Sequence, residues 1–285
     1  MASRIRILTT FTLASMALTV LLSGCAVTRL PASLGEGVVN NDDLGTVREG
    51  LPTYLLILDG TIVNYPKNIG LKQTAANLNG SYASLFVDEP KRRKLMINKA
   101  LRLAMEATCL HNKEACNLRD MKFEPFEALV ASMDKKKDLE ALYTLGSAWA
   151  GYVQENTDDW NAIAELAKVQ KIIEQVVAIE PEYESGQALL YLGVLNSLVP
   201  ASLGGKPEVA KDYFEQAITA SDHRNLIVKV FYAKQYARLI FDQPLHDRLL
   251  QEVLDADPKE EGLTLQNVFA QEQAAVLLAE SADYF

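Results

Sequence analysis

The sequence predicts an all-α chain built as an array of helical hairpins, and three observations carry that prediction. Between Ser185 and Ser221, two amphipathic runs are joined by a turn rich in glycine and closed by Pro207. Between Leu139 and Gln154, the residues Leu139, Leu142, Leu145, Gly146, Trp149 and Val153 fall within an arc of about 120° on a helical wheel, a seam that must be buried against a partner. The 15 glycines and 10 prolines are sparse and sit mostly at helix ends, and no stretch sustains the two-residue alternation of a strand.

The central hairpin is the most explicit. Leu189, Leu192, Gly193 and Asn196 share one side of the first helix, and Ala210, Phe214 and Ala217 form a small-large-small row on the second. Gly193 costs about 1 kcal/mol of helix propensity against alanine. That cost is recovered if a second helix approaches its backbone, with Phe214 filling the gap. Ser202-Leu203-Gly204-Gly205-Lys206-Pro207 ends one helix on glycine and opens the next with proline in the first turn, where its missing N–H is not needed. The pattern L-x2-LG-x2-N…A-x3-F-x2-A resembles the tetratricopeptide repeat, with a longer turn and with Asn196 in place of the usual aromatic. Leu142, Leu145, Gly146 and Trp149 match it more closely, as L-x2-LG-x2-W.

At the amino terminus, Arg4 and Arg6 precede an apolar run from Ile7 to Leu22, too short for a membrane span and built like a processing signal. Leu22-Ser23-Gly24-Cys25 resembles the bacterial lipobox. This implies a lipoprotein signal peptide over 1–24 and a lipidated Cys25 as the first mature residue. Two or three acyl chains, each worth about 0.8 kcal/mol per buried methylene, hold a protein firmly on a membrane it does not span. Ala26 and Val27 carry no retention aspartate, so the expected location is the periplasmic face of the outer membrane, with the inner membrane as the alternative. Residues 25–45 read as a lipidated tether and 46–285 as the all-α domain, long enough to bury a large core or to form a repeat array.

The formal charge is −9, and removing the leader strips Arg4 and Arg6 and leaves the chain more acidic still. Nucleic acid and anionic membrane faces are poor partners for such a balance. The Lys135-Lys136-Lys137 run lies between helical segments and reads as a solvated turn.

Taken in order, Thr46 to Val63 buries Val47, Leu51, Leu55 and Leu58. Ile69 to Val87 continues through Ala75, Ala76, Leu78 and Tyr82, and Pro90 opens a helix to about Leu110. In an oxidising periplasm, Cys109 and Cys116 point to a disulfide closing a short loop, worth about 2.5 kcal/mol by chain entropy. His111 and Glu114 within that loop fit no zinc spacing, so neither a metal nor a cofactor is expected. Trp160 to Ile179 is the partner of the Leu139 helix, with Asp158 and Asp159 capping its start. Asn225 to Phe241, Leu245 to Asp255 and Gly262 to Ser281 close the array. Asn225, Lys229, Tyr232 and Tyr236 lie on one side of their helix, where aromatic rings with one charge line a ligand groove or else form an interhelical layer. Trp149, Tyr152 and Trp160 are the other candidate ligand-binding residues.

No metalloprotease, serine-hydrolase or phosphate-loop motif occurs, since Gly204-Gly205-Lys206 runs into Pro207. The chain does not read as an enzyme. The lipobox, Gly50-Leu51-Pro52 through Leu58-Asp59-Gly60, Ala148-Trp149-Ala150-Gly151, Leu203-Gly204-Gly205-Lys206-Pro207 and Asn225-Leu226 through Tyr236-Ala237-Arg238 together resemble the TRAP transporter T-component family of periplasmic lipoproteins. That resemblance implies an accessory role beside the periplasmic solute-binding subunit of a TRAP transporter. It also implies a small apolar or carboxylated ligand and assembly into homo-oligomers. The alternative is a tetratricopeptide scaffold for envelope assembly or secretion.

Overall fold

The computed structural model describes residues 35–198 and 205–285. The leader, Cys25 and the Leu203-Gly204 part of the central turn lie outside the described residues. All the regular structure described is helical. A short helix α1 (35–39) precedes α2 (Leu44–Asn64), whose first turn is capped by the Asp43 carboxylate accepting from the amides of Gly45 and Thr46. Pro52 sits inside α2 and has no N–H for the carbonyl of Arg48. The Tyr82 hydroxyl donates to that carbonyl at 3.1 Å, so the interrupted helix is satisfied by its neighbour.

The chain continues through α3 (Ile69–Phe86), α4 (Pro90–His111), a 3-10 stretch (Lys113–Asp120), α5 (Phe123–Ser132) and α6 (Leu139–Glu155). After these come α7 (Trp160–Ala164), α8 (Leu166–Ile179), α9 (Gln187–Asn196) and α10 (Pro207–Ala220). Packing runs in chain order: α3 on α4, α4 on α6, α6 on α8, α8 on α9 and α9 on α10. Two glycines set how close the pairs come. A methyl group on Gly146 would lie 2.5 Å from Cδ1 of Ile173, and one on Gly193 would lie 2.9 Å from two ring carbons of Phe214. Both close approaches pair helices matched from the sequence pattern. The single helix expected over Trp160 to Ile179 is instead broken at Glu165, whose side chain turns inward to meet Trp149 and Arg119.

Beyond the central hairpin, α11 (Leu226–Phe231) runs into a π-helical turn (Tyr232–Ala237), followed by α12 (Gln243–Asp255), α13 (Thr264–Ala279) and α14 (Ser281–Tyr284). Two hydrophobic cores result, one from α2 to α9 joined by Leu265 of α13 and one from α9 to α13, with Val177, Tyr213 and Phe269 packed against both. Buried Asn267 holds the last elements in register: its side chain accepts from the Leu226 amide at 3.0 Å and donates to the Arg224 carbonyl at 3.0 Å. The two ends of the described chain also meet. Asn40 accepts from the Gly262 amide at 2.6 Å, and Lys259 pairs with Asp42 at 2.9 Å. Residues 35–43 of the expected tether are thus bound to the body of the fold.

Asp138 joins the end of α4 to the start of α6. It meets His111 Nε2 at 2.6 Å and accepts from the Lys135 amide at 3.1 Å. Burial works against its charge, but those two hydrogen bonds outweigh burial and hold the carboxyl below its ordinary 3.8. A carboxyl with a depressed folded pKa adds stability above its unfolded value and loses it as pH falls through the folded one. Asp138→Ala is therefore expected to cost about 2–3 kcal/mol at pH 7. The difference in urea midpoint from the parent should shrink steadily once pH drops below 3.8.

Candidate functional site

A cleft of about 520 Å³ opens between α4, the 3-10 stretch and α6. Its volume lies in the range of small-molecule sites. Asn98, Leu101, Arg102, Met105, Glu106 and Cys109 reach it from successive turns of α4, while Cys116 and Arg119 come from the 3-10 stretch and Tyr152 from α6. Cys109 and Cys116 are joined by a disulfide, with Cα atoms 4.3 Å apart. The link ties the 3-10 stretch to the last turn of α4 and so fixes one wall. Two free thiols titrated in denatured, unreduced protein would contradict it.

Arg119 is held from two sides. Its guanidinium lies 4.4 Å from the centroid of the Tyr152 ring and makes two bonds to Glu165, at 2.9 and 3.1 Å. The same carboxylate accepts from the indole N–H of Trp149 at 2.7 Å. On α4, Glu106 receives buried Lys72 of α3 and, at 2.7 Å, the exposed Arg102. Burial raises the Glu106 carboxyl, but its bonds to Lys72 and Arg102 prevail and keep it below the ordinary value. The cleft therefore offers a Met105 and Tyr152 surface, a guanidinium at Arg102 that is 58% exposed, and a second, pre-oriented guanidinium at Arg119. Such a lining fits an organic ligand with an apolar body and one carboxylate. A second, more open cleft of about 490 Å³ carries Glu182, Asp212 and Glu215, which disfavour an anion.

Of the residues singled out from the sequence, Tyr152 lines the first cleft. Trp149 does not: it is fully buried with its ring edge-on to Phe126, and its role is to hold Glu165. Trp160 is 85% exposed at the start of α7 and borders neither cleft. Tyr232 and Tyr236 are buried, with Tyr232 stacked on Phe214 at 5.1 Å and Tyr236 5.3 Å from Tyr232. Lys229 pairs with Glu252 at 2.8 Å. Asn225 is buried as well and donates to the Ser185 carbonyl at 3.1 Å. This row is an interhelical layer. Desolvation of the hydroxyls pushes the pKa of both tyrosines up, as expected for packed rings. Cys25 lies outside the described residues.

Arg102, Arg119 and Glu106 went unnoticed in the sequence. One signal was present: Asn98, Leu101, Arg102, Met105, Glu106 and Cys109 recur at helical spacing, a mixed polar and apolar stripe ending on a disulfide cysteine. Nothing local marks Arg119. Among the described residues, no group of three His, Cys, Asp or Glu side chains is placed to hold a metal ion. No described helix is long and apolar enough to cross a membrane. A family model described as TRAP transporter T-component matches residues 40–285. No curated protein is matched by the chain.

Proposed function

The chain belongs to the TRAP transporter T-component family and is on that ground an accessory component of a TRAP-type transporter; we propose that it docks the periplasmic solute-binding subunit and holds a small apolar or carboxylated ligand. The ligand site is the cleft between α4, the 3-10 stretch and α6. The observation that carries this reading is the pairing of an exposed Arg102 with a fixed Arg119 beside the Met105 and Tyr152 surface. Nothing in this role requires bond-making. The lipidated Cys25 anchors the protein at the periplasmic face of the outer membrane, within reach of a soluble binding subunit.

A scaffold for envelope assembly or secretion is the second reading. It has one observation in its favour: the Lys229, Tyr232 and Tyr236 row is packing and frees no surface for a ligand. Mild crosslinking in the native host, followed by identification of what co-purifies, separates the two. Recovery of a solute-binding subunit supports the transport reading, and recovery of assembly or secretion components overturns it. If the cleft holds a carboxylate, Arg102→Ala removes a charge-assisted bond and should weaken ligand retention roughly 10-fold without changing the melting temperature.

A further inference from the structure

Arg238 and His246 carry buried polar atoms that no described residue satisfies. The π-helical turn Tyr232–Ala237 shifts the phase of its helix, and Arg238 is the first residue beyond it. The arginine side chain is 14% exposed, and neither Nε nor Nη2 has a hydrogen-bond partner among the described residues. The Glu280 carboxylate stops 3.6 Å from Nη2, too far for a hydrogen bond. On α12, His246 is fully buried, and its Nδ1 meets the Asp247 carboxylate at 2.8 Å. The carboxylate calls for the ring proton on that nitrogen, which leaves Nε2 as an acceptor with no donor. Native interiors rarely leave such groups unpaired, because each gives up its bonds to water and gains none in return. What covers them is α14 and the adjoining Phe285. The Arg238 guanidinium lies 4.4 Å from the centroid of the Tyr284 ring, and the His246 ring lies 5.2 Å from that of Phe285. Phe241 completes the group at 5.2 Å from Phe285, in a left-handed backbone conformation that glycine ordinarily supplies. The cover is slight: a single helical turn is not stable by itself, and Ala282 and Asp283 are exposed.

We propose that Arg238, His246 and Phe241 form the floor of a binding site for a small aromatic carboxylate, and that α14 is its displaceable cover. The two unpaired donors of Arg238 decide the chemistry. Nε and Nη2 lie on one edge of the guanidinium and point the same way, the fork that receives both oxygens of a carboxylate. The cover itself shows what the floor accepts. It lays two aromatic rings over the polar atoms and brings a carboxylate, that of Glu280, which falls short of the fork. A free aromatic acid supplies the same ring and completes the bond, and a hydroxyl on that ring gives Nε2 of His246 its donor. Phosphate, with up to two charges, is disfavoured by Glu280 and Asp247 around a single guanidinium. The occupant is a small molecule because α14 is only about 6 Å long at 1.5 Å per residue, far short of the roughly 800 Å² per side of a stable protein interface. This site stands on the second hydrophobic core, apart from the cleft, and does not rest on the ligand reading of that cleft.

The test is calorimetric titration of the full-length chain with 4-hydroxyphenylacetate, and with tyramine as the probe of like ring and opposite charge. Every protein carries Arg102→Ala, so that binding in the cleft is weakened throughout. Replacing the covering rings, as Tyr284→Ser with Phe285→Ser, should tighten binding of the acid at least about 10-fold, because the probe no longer competes with them. Adding Arg238→Leu should abolish that gain, and Arg238→Lys, which keeps the charge without the fork, should lose most of it. Tyramine should bind none of these proteins. With the cover intact and no probe present, Arg238→Leu should hold or raise the melting temperature, since it removes a buried charge that lacks hydrogen bonds. The proposal is overturned if binding of the acid does not respond to opening the cover, if it survives Arg238→Leu, or if tyramine binds equally well. A melting temperature that falls with Arg238→Leu also overturns it, because the arginine is then a structural partner of Tyr284.

Discussion

Replacing Gly193 by alanine is expected to destabilise the protein by about 2–4 kcal/mol, even though alanine is the better helix former by about 1 kcal/mol. The added methyl would sit 2.9 Å from Cδ1 and Cε1 of Phe214. A flexible side chain could swing away, but this ring cannot. It is fully buried, and the ring is stacked on Tyr232 with planes 14° apart. Relief would require moving α9 away from α10 or displacing the aromatic layer beneath. Combining Gly193→Ala with Phe214→Leu should recover part of the loss, with a coupling of at least about 1 kcal/mol, because the smaller side chain opens the space the methyl needs. Gly80→Ala is the matched control: its nearest contact would be 3.9 Å from Ala100, so the propensity term alone should act and raise stability. Urea denaturation of the parent, the two single variants, their combination and Gly80→Ala gives the answer. A Gly193→Ala midpoint equal to the parent's would mean the two helices are not in close approach.

Tyr232→Ala is expected to cost about 3–5 kcal/mol, the range for emptying a buried aromatic site. Tyr232→Phe should cost under about 1 kcal/mol, because the hydroxyl donates to Glu215 at a long 3.3 Å and the ring stacking is kept. The contrast separates a structural ring from a recognition hydroxyl. If Tyr232 contacted ligand, the phenylalanine variant would lose binding while keeping its fold. The packed layer requires the reverse: the alanine variant loses its fold, and the phenylalanine variant keeps both fold and binding. Tyr236, next in the layer and equally buried at 4%, should follow the same order.

Lys229, Tyr232 and Tyr236 show why a helical wheel cannot tell a groove from a layer. Both need aromatic residues on one side of a helix, and the wheel does not say whether that side faces space or another helix. Here the side faces Phe214 of α10 and Glu252 of α12. The reading of Gly193 and Gly146 was safer because glycine inside a helix has a cost and few physical reasons to be there. Gly60 has the same cost, yet it lies outside the L-x2-LG pattern and the structure leaves open space beside it, so a helical glycine marks a close approach only where an opposing helix supplies one.

The sequence by itself determined the helical class, the order of most of the elements and the two glycine-sealed pairings, because hydrophobic period, capping and propensity are local properties that act wherever the chain goes. It also determined that the chain is acidic. Only the tertiary structure decided where a cleft would open. Arg119 and Glu165 stand far apart along the chain, and their meeting with Tyr152 depends on how α4, α6 and the disulfide-held 3-10 stretch pack together. The structure likewise decided which aromatic residues are core. Burial is set by what lies opposite a residue, and that neighbour is supplied by another part of the chain.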